Sequence, residues 1–397
     1  MAETTAEARL SEAAGDPVPA LAGTAAAPIT RRGTQPPSLQ LGPLDWLRAN
    51  LFSSRWSTAV TLLLLYLVVR WGLQILSWGV VNAVWTVPHT AAGVADSSAC
   101  RARIGVGACW AVIGDKYRFM LFGPYPYDEQ WRPAIVIALF LGLYALSAWR
   151  RLWRKELIAV WVAALAAINL LMWGGVLGLP LEPTNRWGGL PITLILATAG
   201  LALAFPLAVL VALGRRSKLP AIKALCVAYV ELIRGVPLVT LLFMASVMFP
   251  LFMPEGLNPD VLVRAQVAII LFAGAYLAEV VRGGLQALPR GQYEAADALG
   301  LSYWKSMGLI ILPQALRIVI PPLVNTFIGF FKDTSLVLII GIYDLLYASK
   351  VALDDPAWSA YSIEVYIVVA AIYFAFCFTM ARYARGLERE LGRSIRR

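Results

Sequence analysis

The chain has 397 residues, 59% of them hydrophobic and 15% charged, with a formal net charge of +10. A soluble domain rarely combines so many apolar residues with so few charges, whereas a polytopic helical membrane protein does. The basic excess does not make a nucleic-acid surface, because no soluble basic domain carries it; Lys and Arg instead mark the cytoplasmic ends of spans.

Residues 1–56 begin rich in Ala, Thr, Pro and Gly, with scattered charge and no apolar run. That composition predicts a disordered cytoplasmic tail rather than a secretory signal, and so an uncleaved first span. Apolar segments follow at 57–84, 133–149, 157–178, 190–213, 226–252, 262–281, 309–331 and 363–381. Each is long enough to cross a hydrocarbon core of about 30 Å as a helix. The expected fold class is therefore all-α, a polytopic transmembrane helical bundle of about eight spans.

Orientation follows from the cations. With the N-terminus in the cytoplasm, Arg150, Arg151, Arg154, Lys155, Arg215, Arg216, Lys218, Lys223, Arg282, Arg290 and Lys305 fall on the inner side, as does the Arg-rich tail from Arg382 to Arg397. The outer side keeps Arg101, Arg103, Lys116, Arg118 and Arg132 in one long loop, 85–132, and little else. This asymmetry predicts both termini inside. The loop holds Cys100 and Cys109, for which an oxidising compartment permits a disulfide; two free thiols are the alternative. The lone histidine, His89, has no second histidine or thiol cluster beside it, so no metal site is expected. Arg70 interrupts the first span and is read as structural. No G-x-x-x-x-G-K-[ST], H-E-x-x-H or G-x-S-x-G motif occurs, which leaves a membrane pathway without a catalytic engine of its own.

Residues 289–312, "PRGQYEAADALGLSYWKSMGLIIL", lie between two spans and are half polar. Pro289 suits a helix start, and 291–299 reads as helical, with Glu294 and Asp297 on one face. Gly300 stands where a helix C-cap needs positive φ, and the Ser302 hydroxyl is placed to cap a second short helix. A helix–glycine–helix hairpin follows, either presented to the cytoplasm or lying on the membrane surface.

Glu294, Ala295, Ala296, Gly300, Ile310, Leu312 and Pro313 resemble the EAA loop of bacterial ABC-importer permeases. "GGLPITLILA" (188–197), "YVELIRGVPLVTLLF" (229–243), "AYLAEVVRGGLQALPRGQYEAADALG" (275–300) and "FKDTSLVLIIGIYDLL" (331–346) look like the polar-amino-acid branch of that family, with Pro191 a departure. The resemblance implies a type I importer permease fold with a five-span core at 186–397, preceded by a three-span extension at 57–185. That layout is similar to the longer permease of the general L-amino-acid importers. It further implies that Glu294, Ala295, Ala296, Asp297, Gly300 and Leu301 couple to an ATPase. The implied partners are a second permease forming a heterodimer, two ATPase subunits that hold ATP and Mg, and a periplasmic amino-acid-binding protein. The substrate would be an L-amino acid and the location the bacterial inner membrane, among lipid; no cofactor is expected on this chain. An ion-coupled secondary amino-acid transporter is the alternative.

Within the spans, Glu231 with Arg234 and Glu279 with Arg282 have the i,i+3 spacing of ion pairs, and Arg234-Gly235-Val236-Pro237 reads as an elbow. Asn325 lies mid-span, and Lys332, Asp333 and Thr334 read as a charged break before a short apolar piece. Such a break either lines a substrate route or is a salt-bridged structural feature.

Overall fold

The computed structural model describes residues 42–395 except 90–94, 102–104, 106, 255 and 257. Most of the expected tail, up to residue 41, and Arg103, Arg396 and Arg397 lie outside the described residues. Two compact units are present, one ending at Ile75 and one beginning at Leu76.

In the first unit, α1 (Pro43–Asn50) occupies part of the stretch expected to lack structure. Pro43 starts it where its missing N–H is not needed, with Asp45 in the first turn and Arg48 in the last, as the helix dipole favours. The long helix α2 (Arg55–Leu76) follows. Arg70 on it donates to the Tyr66 hydroxyl at 3.4 Å.

The second unit is a helical bundle. Helices α5 (Trp131–Ala148) and α6 (Lys155–Trp173) pack on each other, and α5 packs on α7 (Leu190–Gly214). The rest comprises α8 (Pro220–Gly235), α9 (Leu238–Phe243), α10 (Val261–Ala287), α13 (Leu312–Asp333), α14 (Leu345–Val351) and α15 (Ser362–Ile395), with α11 (Arg290–Ala298) and α12 (Tyr303–Ser306) forming the hairpin. Among the described residues, seven helices are long and apolar enough to span a membrane. The pair Pro220–Gly235 and Leu238–Phe252, which bends by 103°, makes an eighth if it crosses as one broken span rather than re-entering. The expected span 226–252 begins earlier, at Pro220, and bends at the elbow read from Arg234-Gly235-Val236-Pro237, because proline disfavours helical backbone at the preceding residue.

α10 is the centre of the bundle and packs along α7 and α13. Its buried face carries Ala265, Ala268, Ala273, Gly274, Ala275, Ala278 and Gly284, and small residues let helix backbones approach closely. A Cβ on Gly284 would lie 2.5 Å from Val319 Cγ1 and 2.8 Å from the Ala315 carbonyl oxygen of α13. Pro191 sits in the first turn of α7, where proline is tolerated, so the departure from the family pattern needs no kink.

Residues 76–185 do not form a unit separate from 186–397. α4 (Ala111–Phe122) ends at Gly123, against the two-residue strand β1 (Gly188–Gly189), which pairs in parallel with β2 (Tyr343–Asp344). Gly189 has φ of 69°, and a Cβ there would lie 2.0 Å from the Leu121 carbonyl oxygen. Asp344 is buried; it accepts from the Leu346 and Tyr347 N–H groups, capping α14, and from the Tyr373 hydroxyl at 3.2 Å. Arg132, expected among the loop cations, is fully buried instead. Its Nε donates to the Leu171 carbonyl at 2.6 Å and its Nη1 to that of Pro180 at 3.0 Å, so it organises the turn after α6.

Candidate functional site

The hairpin is built as a handle with a fixed base. In α11, Pro289 takes the N-cap position and the helix runs from Arg290 to Ala298. It ends in a Schellman turn: Gly300, at φ 70°, donates to the Asp297 carbonyl at 2.9 Å, and Leu301 N–H donates to that of Ala296 at 3.2 Å. The Ser302 hydroxyl makes no cap; only its carbonyl is used, accepting from Ser306 N–H at 2.9 Å. From Tyr303 the chain is helical through a π turn at Met307–Ile311 into α13.

Burial divides the hairpin. Ala296, Met307 and Ile311 are buried, the last two in an apolar cluster with Ala212, Leu213, Val281, Leu285, Leu288 and Ala315. Leu299 is 74% exposed and Trp304 69%, with Tyr303 half exposed and edge-on to Trp304. None of these three is among the residues that the family resemblance assigns to coupling; apolar residues in a half-polar stretch were the available signal.

Polar contacts tie the base down. Arg216 Nη1 donates to the Tyr293 hydroxyl at 2.7 Å and to the Leu285 carbonyl at 3.0 Å. The Tyr293 hydroxyl donates to the same carbonyl at 2.9 Å, and Gln314 Nε2 donates to Gln292 Oε1 at 3.0 Å. Beside this node, Arg215 is ion-paired with Glu279 on α10 and lies 3.4 Å from Glu231 Oε1 on α8. Arg282 pairs with Glu279 at 2.7 Å, as the spacing suggests. The expected Glu231–Arg234 pair is replaced by Glu231–Arg215, while the Arg234 guanidinium sits 5.3 Å from the centre of the Tyr276 ring.

The chain does not break at Lys332-Asp333-Thr334. α13 tightens there into a 3-10 helix, Thr334–Ile340, which Gly341 ends at φ 76°. Hydroxyls ease the change of pitch: Thr334 donates to the Phe331 carbonyl and Ser335 to that of Lys332, both at 2.8 Å. Asn325 and Lys332 are exposed on α13 and lie seven residues apart, hence on one face. Asp333 is half-buried, and Thr334 is buried with its hydroxyl already engaged.

Away from the hairpin in sequence, the described residues of 84–123 form a cap on the start of α15 and the segment before it. Cys100 and Cys109 are joined in a disulfide. Lys116 Nζ lies 2.8 Å from Asp355 and 3.1 Å from Asp115, and Asp115 accepts from the Trp358 indole at 2.8 Å. Cys109 N–H donates to the buried Glu364 Oε1 at 2.9 Å. The Lys116 ammonium hydrogen-bonded to Asp355 holds that carboxyl below the usual range. Partial burial opposes the Lys116 charge, but the two carboxylates outweigh it and raise its pKa. No group of histidine, cysteine and carboxylate side chains fit to hold a metal occurs among the described residues.

Residues 204–393 match the family of binding-protein-dependent transport system inner membrane components. The inner membrane amino-acid ABC transporter permease protein YhdY of Escherichia coli is 47% identical over 87% of this chain and 92% of its own length. The glutamate/glutamine/aspartate/asparagine transport system permease protein BztC of Rhodobacter capsulatus is 38% identical over 91% of this chain and 96% of its own. A solved amino acid ABC transporter with histidines is 32% identical, covering 51% of this chain and 92% of that one, with a TM-score of 0.46. Both alignments extend well beyond the 204–393 family match, and they leave the ion-coupled reading without support. The chain belongs to the binding-protein-dependent transport system inner membrane components, as a permease of the amino-acid ABC transporters.

Proposed function

We propose that this permease forms half of a pore for polar L-amino acids, with a second, different permease as the other half. Two ATPase subunits bind ATP and Mg and dock on the coupling hairpin, and a periplasmic binding protein delivers the substrate. Both termini and the hairpin lie in the cytoplasm and the disulfide cap lies outside, in keeping with the Lys and Arg asymmetry. Polar substrates are inferred from BztC, whose name gives two acidic amino acids and their amides.

The observation that carries this reading is the hairpin itself. Its Schellman turn fixes two short helices at a set angle, its base is hydrogen-bonded to three helices, and its tip leaves Leu299, Tyr303 and Trp304 uncovered. Apolar and aromatic side chains on a rigid support are what a protein groove takes up. Glu294, exposed Ala295, Asp297 and the Gly300–Leu301 turn flank that tip, while buried Ala296 keeps the helix slim where it meets the chain.

The proposed route follows the exposed face of α13, with Asn325 offering an amide and Lys332 a cation, and Asp333 at its margin. Thr334 supports the helix from the buried side.

Affinity purification of the chain from its native membrane, with partners identified by mass, tests the assembly. Recovery of an ATPase pair, a second permease and binding-protein-stimulated ATP hydrolysis is expected. A chain purified intact, without any ATPase, would exclude it.

A further inference from the structure

Arg215 and Arg216 follow directly on the last residue of α7, and their guanidinium groups serve different elements. Their backbones are held, since Arg215 N–H donates to the Val211 carbonyl and Arg216 N–H to that of Leu213. Arg215 bridges Glu279 of α10 and Glu231 of α8. Glu231 is five residues before Val236, where the chain turns through 103° into α9. Arg216 points to the coupling helix α11, and its guanidinium also lies 5.0 Å from the centre of the Tyr293 ring.

Tyr293 immediately precedes Glu294-Ala295-Ala296. Its hydroxyl has one proton, which goes to the Leu285 carbonyl, and it accepts from Arg216; Arg216 reaches that same carbonyl. Arg216, Tyr293 and Leu285 thus close a ring of hydrogen bonds among the end of α7, the coupling helix and the last turn of α10. A charge-assisted bond of this kind is stronger than a neutral one and is directional. Surface packing alone would allow α11 to slide; the ring fixes both its distance and its rotation at Tyr293.

We propose that Arg216 is a positioning residue for transport, which, with Tyr293 as its receiver, ties displacement of the coupling helix to the end of α7 and, through Arg215 and Glu231, to the α8–α9 elbow. The inference rests on the docking of the ATPases at the hairpin. It differs from a purely structural role in a measurable way: losing the ring leaves a folded permease with bound ATPases that hydrolyse ATP but move fewer amino acids for each ATP.

The test uses the full purified complex in proteoliposomes, with its binding protein, ATP and a radiolabelled mixture of the common L-amino acids. Amino acid imported per ATP hydrolysed is measured for Tyr293→Phe, Arg216→Gln, Arg216→Lys and the Tyr293→Phe/Arg216→Gln double variant. Tyr293→Phe keeps the ring and its packing and removes only the hydroxyl. We expect Tyr293→Phe and Arg216→Gln each to lower the ratio about fivefold or more. The double variant should be no worse than the poorer single, because both remove the same link. Arg216→Lys should retain more than Arg216→Gln, since an ammonium still donates to the hydroxyl. Wild-type ratios in both single variants would overturn the inference, as would losses that multiply in the double. So would failure of Arg216→Gln to assemble while Tyr293→Phe transports normally. A wild-type chain without bound ATPase overturns the docking as well, whereas a failure confined to variants that retain ATPase leaves the docking standing.

Discussion

Lys116 and Asp355 are 239 residues apart in sequence, and their Nζ and Oδ2 atoms lie 2.8 Å apart. The pair fastens α4 of the cap to the segment that precedes α15, beside the indole of Trp358 on Asp115. The folded pKa of Asp355 is below its ordinary value, so its contribution is whole above the usual carboxylate range and disappears as pH falls through the folded value. That of Lys116 is raised, so its contribution is whole below the usual lysine range and is lost as pH rises through the folded value. Between roughly pH 5 and pH 9 the pair is therefore constant. Being partly exposed, it is worth up to about 1 kcal/mol. Thermal unfolding of Asp355→Asn in detergent should show a small loss that is flat across that window and shrinks in acid. A loss that grows toward acid would contradict the assignment.

Gly300 holds φ at 70°, so a β-branched side chain there is badly placed. Gly300→Val should cost about 1–2 kcal/mol locally and reorient α11 against α12. Membrane insertion is expected to be normal, with ATPase retention on purification falling severalfold. Normal retention together with normal stimulated hydrolysis would remove the turn from the coupling role.

The exposed face of α13 separates Asn325 from Thr334. Asn325→Leu is expected to cut amino-acid uptake by about tenfold while assembly on gel filtration stays intact, since the route loses an amide and gains nothing polar. Thr334→Val should instead lower thermal stability by about 1 kcal/mol, by leaving the Phe331 carbonyl without its hydroxyl, and largely spare uptake. The reverse pattern, with uptake lost at Thr334 and kept at Asn325, would place the route elsewhere.

The joint between α4 and β1 tolerates no side chain. Gly189→Ala would bring Cβ 2.0 Å from the Leu121 carbonyl oxygen, at a φ that favours glycine. A loss of about 1–3 kcal/mol is expected from overpacking, read as a lower melting temperature. Gly178→Ala is a control at positive φ with open space around its Cβ, and it should lose less. Equal losses would trace the effect to backbone strain rather than to the close approach.

Spans are legible in sequence because lipid demands long apolar helices, and the elbow at Val236-Pro237 because proline restricts its neighbour. Gly300 was legible for the same local reason. Lys332-Asp333-Thr334 misled because charge in an apolar run resembles a break. The helix continues because hydroxyls at Thr334 and Ser335 satisfy carbonyls as it tightens, and nothing in hydropathy reports that. Glu231 choosing Arg215 over Arg234, and Arg132 turning inward, depend on contacts between distant segments. A single sequence lists the charges without saying which helix end each will meet.

The cap also dates its own completion. Lys116, Asp115 and Cys109 all take partners at or beyond Asp355, at least 239 residues downstream. The disulfide closes a loop of only nine residues' separation and needs nothing downstream. Ring closure by sulfur can thus come early, but seating of the cap must wait until α15 has been made and inserted. Until those residues are made the cap is a cross-linked loop without its contacts to Asp355, Trp358 and Glu364, and the bond from Cys109 to Glu364 reports that α15 has formed.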